Sequence, residues 1–486
     1  ARRITTPYPA LVAMAGAALA LIPRVPTLVL DPELALALFV APVLLDAAFD
    51  ASPRDLRANW RVVTSLALGA VALTVVVVAG VVHLLVPAMP WAAAIALGAI
   101  VAPPDAAAAT AVLKQLRPPH RLLVILEGES LFNDASALLV YRIAVGATLA
   151  GFVSGWSILP VVLGVTLGSV LLGLVLSRVI VALTSRIEDV ATAVVLQFCG
   201  TFGVWMLAER LHLSGILTMV IFAMATSRRA GDLIPARIRI PSYAVWEVAV
   251  FVLNVLAFIL VGFQLRMIVT RLPRAMWSEY AWVAAAVCVA AMLARIVWVV
   301  SAVAFRTKAL GISRAGAAVV GWCGMRGTVT LAAALALPKA FPYRDLILVT
   351  SFAVVLGTLV VQGMTLRPLM AKLQLEDDDT VEREVRLARV ETLRAALEAS
   401  EECPGAETAE LVRRRYELLL RRAETELAGG TIASEDDAEI VRTATAAERQ
   451  KLTAMRADGT IGDAAFQRVE QELDVEELEL QQLART

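Results

Sequence analysis

Residues 91–113 read WAAAIALGAIVAPPDAAAATAVL, an apolar run long enough to cross a hydrocarbon core of roughly 30 Å as a helix, yet cut in its middle by Ala102-Pro103-Pro104-Asp105. Proline removes a main-chain donor and clashes one turn back, so a continuous helix cannot pass this point. Interrupted helices at bilayer depth persist only where they are buried in protein or line a cavity, and their freed carbonyls and half-helix dipoles suit ion binding. A second run, residues 313–338, is loosened by Gly321, Gly324 and Gly327 and ended by Pro338. Paired interruptions seven spans apart predict an inverted-repeat transporter with two interrupted, crossing helices.

The rest of the chain supports a membrane location. The 486 residues are 59% hydrophobic with a mean hydropathy of +0.73, against about 45–50% apolar for ordinary soluble domains. Apolar stretches near 9–23, 31–49, 62–86, 91–113, 119–145, 157–184, 188–208, 213–227, 243–270, 277–305, 313–338 and 344–371 give about twelve crossing segments. Helices satisfy their own main chain in lipid, and the short alternating segments of a β-barrel are not seen, so the fold class is an all-α polytopic membrane protein. If the chain crosses at each segment, one side collects 18 Lys and Arg and the other 8, which makes the richer side cytoplasmic.

The formal net charge of zero hides two unlike parts. From Leu373 onward there are 28 acidic and 15 basic residues, which leaves 16 acidic and 29 basic before it. This divides the chain into a transporter domain, 1–372, and a C-terminal soluble helical tail, 373–486, expected on the cytoplasmic side. Within the tail, 381–399, 406–427 and 463–483 have helical spacing. The cysteines have no CxxC spacing, and no Gly-x-Ser-x-Gly or HExxH motif occurs, so neither a metal centre nor a hydrolase is indicated. The basic residues flank the membrane segments, which argues against a nucleic-acid partner.

Ionisable residues inside membrane segments cost roughly 2.5–3.5 kcal/mol each, so they usually face the bundle interior and mark a pathway. Here they are Asp46, Asp105, Glu127, Glu129, Asp134 and Arg326, with Arg295, Glu247 and Asn254 as further candidates for structural pairing. At about 100° per residue, Ser130 and Glu127 share the face of Asp134, while Glu129 points about 140° away. A buried carboxylate needs a counter-charge, and Arg326 is the expected partner, giving a structural Glu129–Arg326 ion pair.

Gly128-Glu129-Ser130-Leu131-Phe132-Asn133-Asp134-Ala135 and Gly324-Met325-Arg326-Gly327, in this order, resemble the cation:proton antiporter superfamily, in its sodium/proton exchanger branch with an Asn-Asp centre. Leu44-Leu45-Asp46-Ala47-Ala48-Phe49 and Phe258-Ile259-Leu260-Val261-Gly262 are similar to further segments of that branch. The resemblance covers residues 1 to about 371. It implies that Asp134 binds either the cation or the proton, that Asp105 and Ser130 join it in holding the monovalent cation, and that Asp46 lies nearby. Asn133 would support the interrupted helices. The family's usual arrangement has thirteen spans, with the fifth and twelfth interrupted. Here the fourth and eleventh are interrupted, so its first helix is expected to be missing from this chain. Where the family commonly has Thr-Asp-Pro, this chain has Pro104-Asp105-Ala106, with the proline ahead of the acid and one hydroxyl fewer.

The expected function is exchange of a monovalent cation, Na+ first, for H+ by alternating access. A homodimer in the cell membrane that needs no cofactor and serves pH homeostasis is implied, and Asn133 beside Asp134 implies electroneutral exchange. Potassium/proton exchange, or a channel or ion-responsive receptor using the same site without exchange, are the alternatives.

Overall fold

A computed structural model describes residues 36–113, 118–150, 155–271, 276–310, 313–375, 379–401, 407–428 and 435–458, with isolated residues outside these ranges. It is helical throughout, with no strand among the described residues. The main chain divides into two compact units, Ala1–Asp377 and Asp378–Thr486.

The first unit begins, in its described part, with the π turn Leu36–Val40, which runs into α1 (Ala41–Asp50). There follow α2 (Pro53–Leu85), the half-helices α3 (Trp91–Val101) and α4 (Ala106–Leu113), and α5 (His120–Ala150). Next come α6 (Gly155–Thr184), α7 (Val190–Arg210), α8 (Gly215–Leu233) and α9 (Ala236–Arg271). The unit closes with α10 (Trp277–Leu310), the half-helices α11 (Arg314–Trp322) and α12 (Thr328–Leu335), and α13 (Arg344–Leu373). Six of the described helices are long and apolar enough to cross a membrane, among them α2, α7 and α13. The other predicted crossings are interrupted, short, or, like α5, carry charge. The predicted segment 9–23 lies almost wholly outside the described residues.

Local chemistry sets where these helices begin. Ser52 caps α2 by accepting from the N–H of Asp55 at 3.3 Å, with Pro53 in the first turn. Asp189 caps α7 through the N–H of Thr192 at 2.8 Å, and Ser214 caps α8 through the N–H of Leu217 at 3.2 Å. Hydropathy places the start of α2 at residue 62, but the helix begins at Pro53, because Arg54, Arg57 and Arg61, all exposed, are accommodated in its first turns.

Packing sorts the unit into two bundles. In the core bundle, α2, α3, α5 and α10 to α13 share two apolar clusters around Val75, Leu97, Ile125 and Val355. In the scaffold bundle, α1, α7 and α8 pack around Met219, Val220 and Trp205, with α6 laid on α8 and α9 against α7. The core is a repeat by element order: α2, α3–α4, α5 answers to α10, α11–α12, α13, each triplet with an interrupted middle member. Four spans separate the triplets, so corresponding members stand seven spans apart, and crossing at every segment inverts one triplet against the other. At several glycines main chains come into direct contact. A Cβ added at Gly98 of α3 would lie 2.8 Å from the carbonyl oxygen of Val75 on α2, and one at Gly173 of α6 would lie 2.7 Å from that of Thr218 on α8. Large apolar side chains face outward, including Leu167 and Leu171 on α6 and Val248 and Phe251 on α9, as lipid contact requires.

The second unit contains α14 (Thr380–Glu401), α15 (Glu407–Leu427) and α16 (Glu435–Ala457). The antiparallel pair α14 and α15 is tied by Arg389–Glu426 at 3.2 Å and Arg394–Glu424 at 3.1 Å. The helix α16 adds to the segments read from the sequence, whereas 463–483 lies largely outside the described residues.

Candidate ion-exchange site

The two interruptions meet. The prolines at 103 and 104 end α3, and the next helix starts only at Ala106. Opposite them, residues 323–327 leave the helical path between α11 and α12. The N–H of Asp105 donates to the carbonyl of Met325 at 2.7 Å, and the Arg326 guanidinium donates to the carbonyl of Ala102. The N–H of Arg326 donates in turn to Oγ1 of Thr358 on α13 at 3.0 Å. Each half-helix end therefore uses the other interruption to satisfy groups that a continuous helix would have satisfied internally.

The third wall is α5. Asn133, wholly buried, donates through Nδ2 to the carbonyl of Pro104 at 3.1 Å, which fastens α5 to the first interruption. Asp134 follows it, 7% exposed, and no hydrogen bond or ion pair joins it to another described residue. Its charged neighbour is Asp105, half-buried, so two carboxylates repel each other across the crossing. Asp105 rests on Gly327: a Cβ there would fall 1.6 Å from its Oδ2. Ser130 is half-buried one turn back on α5, and Asp46 is half-buried on α1, which packs against α5. Asp105, Asn133 and Asp134 are thus gathered at the crossing, with Ser130 on the adjoining turn and Asp46 on the scaffold side. Two repelling, poorly solvated carboxylates, one of them unpaired, form a site that a cation or a proton would neutralise.

The expected Glu129–Arg326 pair is not formed. Glu129 is bound by Arg295 of α10, through Nη1 to Oε1 and through Nη2 to Oε2 at 2.7 Å, with side chains 1% and 2% exposed. Arg295 also donates from Nε to the carbonyl of Val320 at 3.1 Å, which pins the end of α11. Arg326 is withheld from Glu129 because the Ala102 carbonyl takes its guanidinium. The direction inferred for Glu129, away from Asp134, holds; the helix lying in that direction is α10.

Sequence reasoning also passed over Ser136, Thr358 and Gln362. Ser136 donates to the carbonyl of Ala67 at 2.7 Å and so joins α5 to α2. Gln362, fully buried on α13, has no hydrogen-bond partner among the described residues at either amide atom. Their signal was available, since Thr358 and Gln362 are polar residues in an apolar segment. The Phe258–Gly262 stretch falls on α9, where the side chains lie outside the described residues except at Ile259.

A sequence profile described as "Sodium/hydrogen exchanger, transmembrane" matches residues 1–372. The chain belongs to the sodium/hydrogen exchanger family. The exchanger is 29% identical to a protein named an uncharacterized Na(+)/H(+) exchanger of Mycobacterium bovis, over 97% of this chain and 91% of the relative. It is also 29% identical to the sodium, potassium, lithium and rubidium/H(+) antiporter of Bacillus pumilus, over 77% of this chain and 59% of that protein. Its fold is similar to that of the sodium proton antiporter MjNhaP1 of Methanocaldococcus jannaschii, with a TM-score of 0.60 at 17% identity, covering 75% of this chain and 92% of the other. These neighbours are transporters, and the exchanger is not an enzyme.

In this exchanger a cleft of about 1920 Å³ separates the two bundles. Core residues Val63, Ala67, Ala135, Ser136 and Leu139 line one wall, and scaffold residues Val165, Leu174, Trp205 and Ile221 the other. Arg57 and Arg228 stand toward one end and Arg142 and Glu209 toward the other. The cleft borders α5 on both sides of Asp134, at Phe132 and Ala135.

Proposed function

We propose that this exchanger moves one monovalent cation, sodium foremost, against one proton, with Asp134 as the carboxylate that both ions share. Family membership makes cation/proton exchange the activity. The finer reading is carried by one observation: Asp134 is buried beside the crossing, repelled by Asp105 and paired with no cationic side chain among the described residues. A permanently paired acid would have no need of either ion, whereas this one is neutralised by whichever arrives. Occupancy by one ion excludes the other, and that exclusion is the coupling.

Alternating access then requires that the loaded core move against the scaffold along the cleft while the empty, charged core stays put. The desolvation cost of an uncompensated carboxylate opposes the empty move. With Asn133 in place of a second acid, each half-cycle carries one positive charge and the exchange is electroneutral. Asp105 and Ser130 supply further oxygens to the cation, and Asp46 stands at the scaffold side. Potassium is the alternative cation, supported by the name of the Bacillus pumilus relative. We assign the transporter domain to residues 1–372 and the tail to 373–486, the latter cytoplasmic by the charge bias of the loops. The protein acts as a homodimer in the cell membrane, in pH homeostasis.

The deciding experiment is cation-driven dissipation of a preset pH gradient in proteoliposomes, with sodium, lithium and potassium compared. The parent should respond and Asp134→Asn should not. Exchange by Asp134→Asn at the parent rate would refute the assignment.

A further inference from the structure

Arg142 lies eight residues beyond Asp134 on α5, about 12 Å farther along the axis at 1.5 Å per residue. Its Nη2 donates to both carboxylate oxygens of Glu209, at 2.9 and 3.1 Å. Glu209 sits in the last turn of α7, and its Oε1 also accepts from the N–H of Gly215, the first residue of α8, at 3.3 Å. The anion is thus fixed to the scaffold at the α7–α8 turn, while the cation rides on a core helix. Both side chains line the cleft and are about half exposed, at 50% and 39%. Other ion pairs, Glu129–Arg295 and His120–Asp55 in the core and Arg237–Glu188 in the scaffold, remain within one bundle.

We infer that Arg142 and Glu209 form a gate at the end of the cleft opposite Arg57 and Arg228. The pair is made when that end is shut and parts when the core shifts to admit ions there. A contact between two bodies that slide past one another cannot survive the slide at a hydrogen-bond length, and this contact bridges them at one end of the cleft that borders α5 beside Asp134. Partial exposure suits the role, because solvent can take over both charges as the pair separates, so the barrier is modest. The Gly215 N–H keeps Glu209 in place while parted, ready for re-closure.

The inference rests on the alternating-access reading above, and its test is chosen to stand apart from transport. With the four native cysteines replaced by alanine, a single cysteine at Leu139, a cleft residue one turn before Arg142, is labelled with a membrane-impermeant maleimide from either face of sealed vesicles. Arg142→Gln and Glu209→Gln should each raise the labelling rate from one face about two- to fivefold. The double variant should label no faster than the faster single, because the same pair is broken in all three. Arg142→Lys, which keeps the charge, should stay near the parent, and it serves with Glu209→Asp if the neutral variants do not fold. Parent-rate labelling in both singles, or effects that multiply in the double, would overturn the gate. Repeating the series with Asp134→Asn reads closure in a chain expected to transport nothing, so failure of the carboxylate assignment and failure of the gate give different results.

Discussion

The N–H of Asp105 donates to the carbonyl of Met325 across 2.7 Å, so the residue that opens the second half of one interrupted helix is held by the non-helical segment of the other. Two residues on, Gly327 supplies the floor on which the Asp105 carboxylate lies.

That floor has no room for a methyl group. A Cβ at Gly327 would overlap Asp105 at Oδ2, Cγ and Cβ, at 1.6, 2.4 and 2.7 Å, so Gly327→Ala must move the whole side chain. Exchange should fall at least about tenfold, as expected when a binding group is displaced by about 1 Å or more. Gly146→Ala, on α5 with open space around its added carbon, is the control and should transport like the parent. Flux per inserted molecule in proteoliposomes separates the two.

Removing one partner of the Glu129–Arg295 pair leaves a buried charge uncompensated. Arg295→Gln and Glu129→Gln should each destabilise the protein by about 3–5 kcal/mol, seen as a lower unfolding temperature in detergent. Arg326→Gln should not reproduce the loss seen for Glu129→Gln, because Arg326 serves the Ala102 carbonyl instead. Equal losses in Arg326→Gln and Arg295→Gln would return the pair to Arg326.

Asn133 acts on the site through the Pro104 carbonyl. Asn133→Ala deletes one buried hydrogen bond, worth about 1 kcal/mol, and should weaken apparent cation affinity roughly fivefold while the protein stays folded. Cation titration of the exchange rate, together with a melting curve, tests this; an unchanged half-saturating concentration would remove Asn133 from the site.

Competition for one carboxylate has a definite pH signature. In the acid range where the ion-free site is protonated, each unit of falling pH should raise the half-saturating cation concentration about tenfold, since one proton must leave for each cation bound. At higher pH the dependence should flatten. A limiting slope of two would mean that Asp105 and Asp134 release protons together, and a slope of zero would end the shared-site account.

Much of this was legible in the chain itself. Pro103-Pro104 and the Gly324–Gly327 segment marked both interruptions because their effect on the main chain is local. Asn133 and Asp134 were legible because three acids in eight residues of an apolar span need a reason. Partners were not legible. The helical angle of Glu129 gave its direction on α5, but which helix lay there depended on how α10 packs, and two buried arginines were available. Helix starts were misplaced for a related reason: hydropathy reports where lipid begins, whereas Ser52 and Pro53 set where the hydrogen-bonded spiral begins, outside the lipid.

The glycine contacts of Gly98 with Val75 and of Gly173 with Thr218 leave no layer of side chains between the main chains they join. Such seams have nothing in them to shear, so each bundle should behave as a stiff block at these points, and the movement proposed above would fall along the cleft between them. A cation at Asp134 would then cross the membrane without travelling through the protein at all: it would stay in its seat while the surrounding barrier changed sides.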